Sequence, residues 1–236
     1  MQAVILAGGL GTRLRPSVPD LPKAMAEIDG RPFLEYLLEQ VRRAGFREAV
    51  LCVGYGQDAI REYFRGGEGH NIRLIYSAEN EPMGTGGALK LAEPLLTGDR
   101  WLVMNGDSFL DVPLEAMVRA HDGSGAVVTL AVVRVAEASR FGAVELGPEG
   151  QVTAFTEKGG ATGPALINGG IYIVERDLLA AIPPSRKVSL EQELFPGLVG
   201  SGLYGFEFEG EFTDIGTPED YRLATASPGR FASAPD

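Results

Sequence analysis

The residues best suited to chemistry stand near the start of the chain. Leu6-Ala7-Gly8-Gly9-Leu10-Gly11-Thr12-Arg13-Leu14-Arg15-Pro16 follows a short apolar run, and Lys23 comes soon after in Leu21-Pro22-Lys23. Glycines let backbone N–H groups close around an anion. Arg13 can hold phosphate through two donors, and Lys23 adds a compact charge. The chain as a whole carries a net charge of −11, so cations gathered beside a glycine loop point to a polyphosphate. The plainer alternative is a turn with solvated basic side chains, and that reading is strongest for Arg15 alone. The loop is not a P-loop, because no Gly-Lys-Ser/Thr follows the glycines. Nor is it the dinucleotide fingerprint, because Leu14 stands where the last glycine belongs. Two carboxylates extend the set. Asp107 ends the run Trp101-Leu-Val-Met-Asn-Gly-Asp107, and Asp214 lies between Thr213 and Ile215. Both read as carboxylates at strand ends. Asp107 could instead form an Asx turn, and Asp214 could cap a helix starting near Pro218. Asp111, just before Pro113, reads as a helix cap and is left out of the set.

These residues need a scaffold that brings distant segments together. Apolar runs at Ala3–Ala7, Ala49–Val53, Ile72–Tyr76 and Trp101–Met104 read as strands. Between them lie helical patterns. Leu34, Leu37, Leu38 and Val41 recur at helical spacing, and Gly45 stops that helix. Asp58–Phe64, Ala88–Leu96 and Leu114–Ala120 read the same way. Such alternation predicts a mostly parallel sheet covered on both faces, with ligands beyond the carboxyl ends of its strands. The second half is less regular. Strands are expected at Val127–Val133, Ala143–Leu146, Val152–Phe155, Ile171–Val174 and Leu203–Phe208, and helices at Leu178–Ile182, Leu190–Leu198 and Pro218–Ala226. One continuous sheet is expected, with a soft boundary near Asp111 and a loose tail over 227–236.

Composition removes several classes of function. With 21 Lys+Arg against 32 Asp+Glu, a general nucleic-acid binder is disfavoured. Two histidines and one cysteine are too few for a zinc cage. Cys52 cannot form an internal disulfide and reads as a buried strand thiol. No apolar run reaches membrane-spanning length. The N-terminus lacks a basic leader and meets glycines at once, so it reads as a strand, and the cytoplasm is the default location. His70 and His121 are expected to face solvent, and Trp101 to sit in the core.

Gly8-Gly9-Leu10-Gly11-Thr12-Arg13-Leu14 with Pro22-Lys23 resembles the signature of sugar-1-phosphate nucleotidylyltransferases. Glu81-Pro-Met-Gly-Thr-Gly-Gly-Ala88, Asn105-Gly-Asp107, Phe141-Gly142, Glu157-Lys158, Asn168-Gly-Gly170 and Asp214-Ile-Gly-Thr-Pro218 follow in that family's order. The likeness extends over roughly residues 1–224, and several motifs in register are more specific than any one. Phe33-Leu-Glu-Tyr36, Ile167-Asn-Gly-Gly-Ile-Tyr172 and Asp214-Ile215-Gly216 with Pro218-Glu-Asp-Tyr221 are most similar to the branch that handles D-glycero-D-manno-heptose 1-phosphate and GTP. Ala24 departs from the second proline usual after the lysine. That changes loop stiffness and removes no charge.

The resemblance implies a Rossmann-like mixed sheet of the nucleotide-diphospho-sugar transferase type, forming one domain over 1–226. Residues to about 110 would serve the nucleotide, and those from about 111 the sugar phosphate. The reaction it implies joins a sugar 1-phosphate to the α-phosphorus of a nucleoside triphosphate and releases pyrophosphate. A phosphate oxygen is already nucleophilic at neutral pH. The catalyst must therefore bring two polyanions together and neutralise growing charge. The resemblance makes Asp107 and Asp214 ligands of Mg²⁺, for which Mn²⁺ may substitute. It gives Lys23 the triphosphate and Arg13 the departing pyrophosphate. Leu6, Ala7, Gly8, Gly9, Gly11, Thr12 and Gly84 line the nucleotide. Gly142, Glu157, Lys158 and Asn168 meet the sugar phosphate.

Glu79 bears on the choice of base. Guanine presents N1–H and N2–H₂ side by side, and one carboxylate accepts both. The family's pyrimidine branch has Gln where Glu79 aligns. GTP is therefore favoured, with Glu81 as an alternate reader and solvated loop charge as the plain alternative. The sugar rests on resemblance alone. Mannose 1-phosphate, or a uridylyl or thymidylyl transfer to another sugar phosphate, are the rivals within the class. Outside it stands a non-catalytic regulatory subunit with the same fold, against which the retention of Arg13, Lys23, Asp107 and Asp214 argues. A homodimer is compatible with the sequence and not indicated by it.

Overall fold

The structure, a computed structural model, describes residues 1–156 and 159–231. In chain order the first elements are β1 (Gln2–Leu6), a small hairpin of β2 (Glu27–Ile28) and β3 (Arg31–Pro32), α1 (Phe33–Arg43), β4 (Glu48–Val53), α2 (Gln57–Phe64), β5 (Arg73–Ala78), α3 (Gly84–Ala92), β6 (Arg100–Asn105), β7 (Ser108–Leu110) and α4 (Leu114–Ser124). Then come β8 (Val128–Val135), β9 (Ala143–Leu146), β10 (Val152–Thr156), β11 (Ala165–Glu175), α5 (Arg176–Ala180), α6 (Phe195–Leu198), β12 (Leu203–Phe208), β13 (Phe212–Asp214) and α7 (Pro218–Ala226).

The central strands are buried on both faces because their apolar residues run without interruption. Ala3 and Ile5 of β1 pack into one core layer while Val4 packs into the other. Leu102 and Met104 of β6 divide in the same way from Trp101 and Val103. A side-chain period of two makes this division automatic. On one side α1 contributes Phe33, Leu34, Leu37, Leu38 and Val41, all buried.

Strand order carries the function. The parallel strands lie as β5-β4-β1-β6. The chain leaves β1 to one side and returns on the other, and that reversal opens a crevice at the strands' carboxyl ends. Leu6 and Asn105 end β1 and β6 side by side. The glycine loop and Asn105-Gly106-Asp107 therefore emerge together, and the Gly106 N–H donates to the Leu6 carbonyl at 2.9 Å. Beyond β6 the long strand β11 runs antiparallel and is shared with β8 and β9. The two halves of the chain thus share one sheet. A separate short ladder pairs β13 with β7 and sets Asp214 opposite Ser108.

Several sequence expectations need correction. Strand β11 extends well before Ile171, because Gly169 and Gly170 absorb a register shift between Asn168 and Tyr172 without ending the pairing. The stretch Leu190–Leu198 is not one α-helix. Leu190–Leu194 forms a π turn capped by Ser189, and α6 follows it. Pro196 has no N–H to give and fits only a first helical turn, so a new helix starts beside it. Nor does His121 face solvent. Its ring lies buried, with Nδ1 2.7 Å from the Thr129 hydroxyl and Nε2 3.0 Å from Glu175. Both partners come from strands that helical spacing cannot reveal. Cys52 is buried as expected. Burial, with the nearby Glu79 charge, pushes its thiol up to about 12.

Of the expected tail, the described residues to Phe231 are folded, and 232–236 lie outside the described residues. Pro228–Phe231 forms a 3₁₀ turn, and the Phe231 ring packs 5.0 Å from Tyr36, 5.2 Å from Phe109 and 5.8 Å from Phe33 between ring centres. The small residues around it gave no hint that one aromatic docks. Phe231→Ala should cost about 3 kcal/mol, the low end for emptying a buried Phe site. Denaturant unfolding checks this, and an unchanged midpoint would show that the docked turn adds no stability. Among the described residues no helix is long and apolar enough to cross a membrane.

Candidate active site

A cleft of about 480 Å³ opens at the switch point. Leu6, Gly8, Gly9, Glu79, Gly84, Asp107, Gly142, Asn168 and Asp214 all line it, so segments distant in sequence converge as expected. Other expected residues sit around it. Ala7 is buried behind the loop, and Thr12 and Arg13 stand exposed on the turn that follows. Leu14 anchors that turn in the core, which explains an apolar residue where a glycine motif would continue. Arg15 stacks over Tyr55, 4.5 Å from the ring centre. Glu157 and Lys158 lie outside the described residues.

The carboxylates and the lysine form one group. Lys23 Nζ donates to Asp107 Oδ2 at 2.7 Å, with the lysine side chain 11% exposed and the aspartate 42%. The Ile215 N–H donates to the Asp107 carbonyl at 3.0 Å, which locks the β13 end to the β6 end. Asp214 Oδ1 accepts from the Gly216 N–H. A Cβ at position 216 would collide with that carboxylate and lie 3.2 Å from Lys23 Nζ, so glycine keeps the space between them open. Asp214 does not cap α7. Thr217 does, accepting from the Asp220 N–H at 3.3 Å. Pro113 holds the N-cap position of α4. Among the described residues no three His, Cys, Asp or Glu side chains cluster as a metal cage. Two carboxylates on one cleft, Asp107 and Asp214, still fit Mg²⁺, which typically takes one or two of them plus substrate phosphates and water.

Glu79 follows β5 and leans into the glycine loop. A Cβ on Gly8 would lie 2.6 Å from its Oε1, so a larger residue at position 8 would push the Glu79 carboxylate out of its place. Its Oε2 accepts from the Met83 N–H at 3.1 Å. Burial pushes its carboxyl above the ordinary 4.5, with the Met83 amide opposing. Glu81 is exposed and stands outside the cleft wall. Gly84 opens α3 with φ of 71°, and any Cβ there would strike the Val188 carbonyl.

The wall that sequence reading missed is the segment 187–192. Lys187, Ser189, Glu191 and Gln192 line the cleft together with Thr85. The segment is laced onto α3 by hydrogen bonds from the Gly86 and Gly87 N–H groups to the Val188 carbonyl at 2.9 and 3.1 Å. Nothing in its polar composition separates it from a surface loop. Buried Tyr172 lies behind it, its phenol held well above its usual range by burial and by the Glu191 charge. On the opposite wall Arg140 clasps Asp220 with both terminal nitrogens, steadying Phe141 and Gly142 beside α7. Burial opposes ionisation of Asp220, but the bonds from Arg140 and Thr217 outweigh it and hold the carboxyl below 3.8. The stability this adds is present above the unfolded carboxylate's range and is lost as pH falls through the lower folded value.

A mixed α/β sheet with a glycine loop, a lysine and two aspartates at the switch point of its parallel strands defines a phosphate-handling transferase of the nucleotide class. Residues 2–228 match the family model described as nucleotidyl transferase, and the chain belongs to that family. It is 40% identical over 225 residues to a D-glycero-alpha-D-manno-heptose 1-phosphate guanylyltransferase of Aneurinibacillus thermoaerophilus, covering 95% of this chain and 96% of that protein. It is 37% identical over 229 residues to a mannose-1-phosphate guanylyltransferase of Mycobacterium tuberculosis, covering 96% of this chain but 64% of that longer protein. Among solved structures, HddC from Yersinia pseudotuberculosis superposes with a TM-score of 0.85 at 31% identity, covering 96% of this chain and 98% of that one. The same protein has been seen complexed with GMP-PN.

Proposed function

We propose that this nucleotidyl transferase joins D-glycero-D-manno-heptose 1-phosphate to GTP, giving the GDP-sugar and pyrophosphate in the cytoplasm. The observation that carries the guanine assignment is Glu79, fixed against Gly8 by the Met83 amide on the wall that also holds Asp107. Its carboxylate can accept N1–H and N2–H₂ of guanine together, and it opposes the carbonyl edges of uracil and thymine. Lys23 takes triphosphate oxygens, and Arg13 on the adjacent turn takes the pyrophosphate as it departs. Gly142 and Asn168 face the sugar phosphate, and the resemblance adds Glu157 and Lys158 to them. Asp107 and Asp214 would hold Mg²⁺ or Mn²⁺, which screens charge on the phosphates when bound. The attacking group is a phosphate oxygen of the sugar 1-phosphate, already ionised and in need of no base, so the cleft acts by alignment and by charge. Mannose 1-phosphate is the second reading, supported by the 37% identity to mannose-1-phosphate guanylyltransferases.

The test is base choice. Charge-assisted hydrogen bonds are worth about 1.5–3 kcal/mol each. GTP should then exceed UTP and dTTP in kcat/KM by at least about tenfold, and Glu79→Gln should narrow that gap. Because the Glu79 carboxyl titrates above 4.5, GTP affinity should begin to fall on acidification at a higher pH than for an ordinary carboxylate, and Glu79→Gln should flatten that limb. A wild-type preference for UTP or dTTP would overturn the guanine assignment.

A further inference from the structure

Glu191 sits on the π turn Leu190–Leu194, on the cleft wall. Its Oε2 accepts from the Thr85 hydroxyl at 2.7 Å and the Ser189 hydroxyl at 2.9 Å. Its Oε1 accepts from the Tyr172 hydroxyl at 3.1 Å. The sense of these bonds is fixed. Thr85 Oγ1 accepts from the Leu190 N–H at 2.8 Å, and Ser189 Oγ accepts from the Gln192 N–H at 3.1 Å. Backbone N–H groups only donate, so both hydroxyls have their protons free for the carboxylate. An ionised carboxylate in turn only accepts. The Tyr172 proton is therefore committed to Glu191.

That commitment propagates. Its oxygen becomes the acceptor for the Asn168 amide at 3.0 Å and the Asn105 amide at 3.3 Å. Asn168 Oδ1 meanwhile accepts from the Gly170 N–H at 2.9 Å. The Gly170 N–H by itself sets the sense of the Asn168 amide, and the Tyr172 oxygen is the acceptor that its Nδ2 then needs. Asn105 Oδ1, with Nδ2 given to Tyr172, has no hydrogen-bond partner among the described residues.

We propose that Glu191 is a positioning residue, which sets the direction of the Tyr172 hydroxyl and so, together with the Gly170 N–H, holds the Asn168 amide that meets the sugar phosphate. Through Thr85 the same carboxylate ties that setting to the first turn of α3, beside Gly84. The proposal rests on the reading of Asn168 as a sugar contact. Replacing the carboxylate by an amide leaves one oxygen for Thr85 and Ser189 but turns an N–H₂ toward Tyr172. The tyrosine proton must then go to an asparagine oxygen, and Asn105 Oδ1 is the one without a partner.

The test compares Glu191→Gln, Tyr172→Phe and the double variant with wild type, using GTP and each sugar 1-phosphate it accepts, alongside melting temperatures. Glu191→Gln should raise KM for the sugar 1-phosphate about tenfold or more and leave KM for GTP within about threefold, the size of one lost charge-assisted bond. Tyr172→Phe should show the same split, and the double variant should be no worse than the worse single, because the two act in one chain. Parallel rises in both KM values, multiplying effects in the double variant, or a Glu191→Gln variant indistinguishable from wild type would each overturn the proposal. If wild type transfers guanylyl to no sugar 1-phosphate, the substrate reading fails by itself. The network is then judged on melting temperatures: non-additive shifts uphold it and additive shifts overturn it.

Discussion

Asp107→Asn should lose at least about three orders of magnitude in turnover while the protein stays folded. Removing a single preorganised charge-stabilising group costs about 10²–10³-fold, and under the proposed function Asp107 would serve two such roles. It faces the glycine loop from the end of β6, and it holds Lys23 at 2.7 Å. Asparagine keeps the shape but not the charge, so both the cation and the lysine lose a partner. The fold should survive, because the Asp107 side chain is 42% exposed and its backbone carbonyl still accepts from Ile215. Pyrophosphate release and a thermal melt are the readouts. Turnover within tenfold of wild type, or full activity in excess chelator, would sink the assignment of Asp107 to the cation.

Lys23→Ala should lose about 10²–10³-fold in turnover, with only a small change in melting temperature. The lysine opens a 3₁₀ turn, and no apolar contact of the core depends on its ammonium. Its partner Asp107 is open enough to be solvated once the lysine is gone. Because the two side chains touch, the double variant should cost less than the product of the singles. A Lys23→Ala protein that melts well below wild type but keeps its specific activity would make the lysine a structural pin instead.

Much of the fold was legible because its core strands are apolar and its helices amphipathic. Ala143–Leu146, Leu203–Phe208 and Pro218–Ala226 match their expected limits. The glycine loop and Asp107 were legible because a motif directly after a strand must emerge at that strand's carboxyl end. Asp214 needed the resemblance to pair it with Asp107, since β13 is three residues long. Glu191 and Tyr172 were not legible as a pair. One lies in a polar segment and the other in an apolar strand, and only their meeting behind the cleft wall gives them meaning. Phe231 and His121 were misread for a related reason. Their hydrogen-bonding or packing partners are distant in sequence; Phe231 lies in no periodic pattern, and His121 does continue the buried Leu114 and Met117 stripe of α4 but is too polar to be read as part of it.

The central claim is guanylyl transfer to a heptose phosphate. The most direct measurement offers the protein GTP, ATP, UTP and dTTP against D-glycero-D-manno-heptose 1-phosphate, mannose 1-phosphate and glucose 1-phosphate. Pyrophosphate release is followed, and products are identified by mass. The account predicts GDP-heptose as the product formed with the highest kcat/KM, and GDP-mannose next. A UDP- or dTDP-sugar formed fastest, or no nucleotide sugar from any pair, would contradict it.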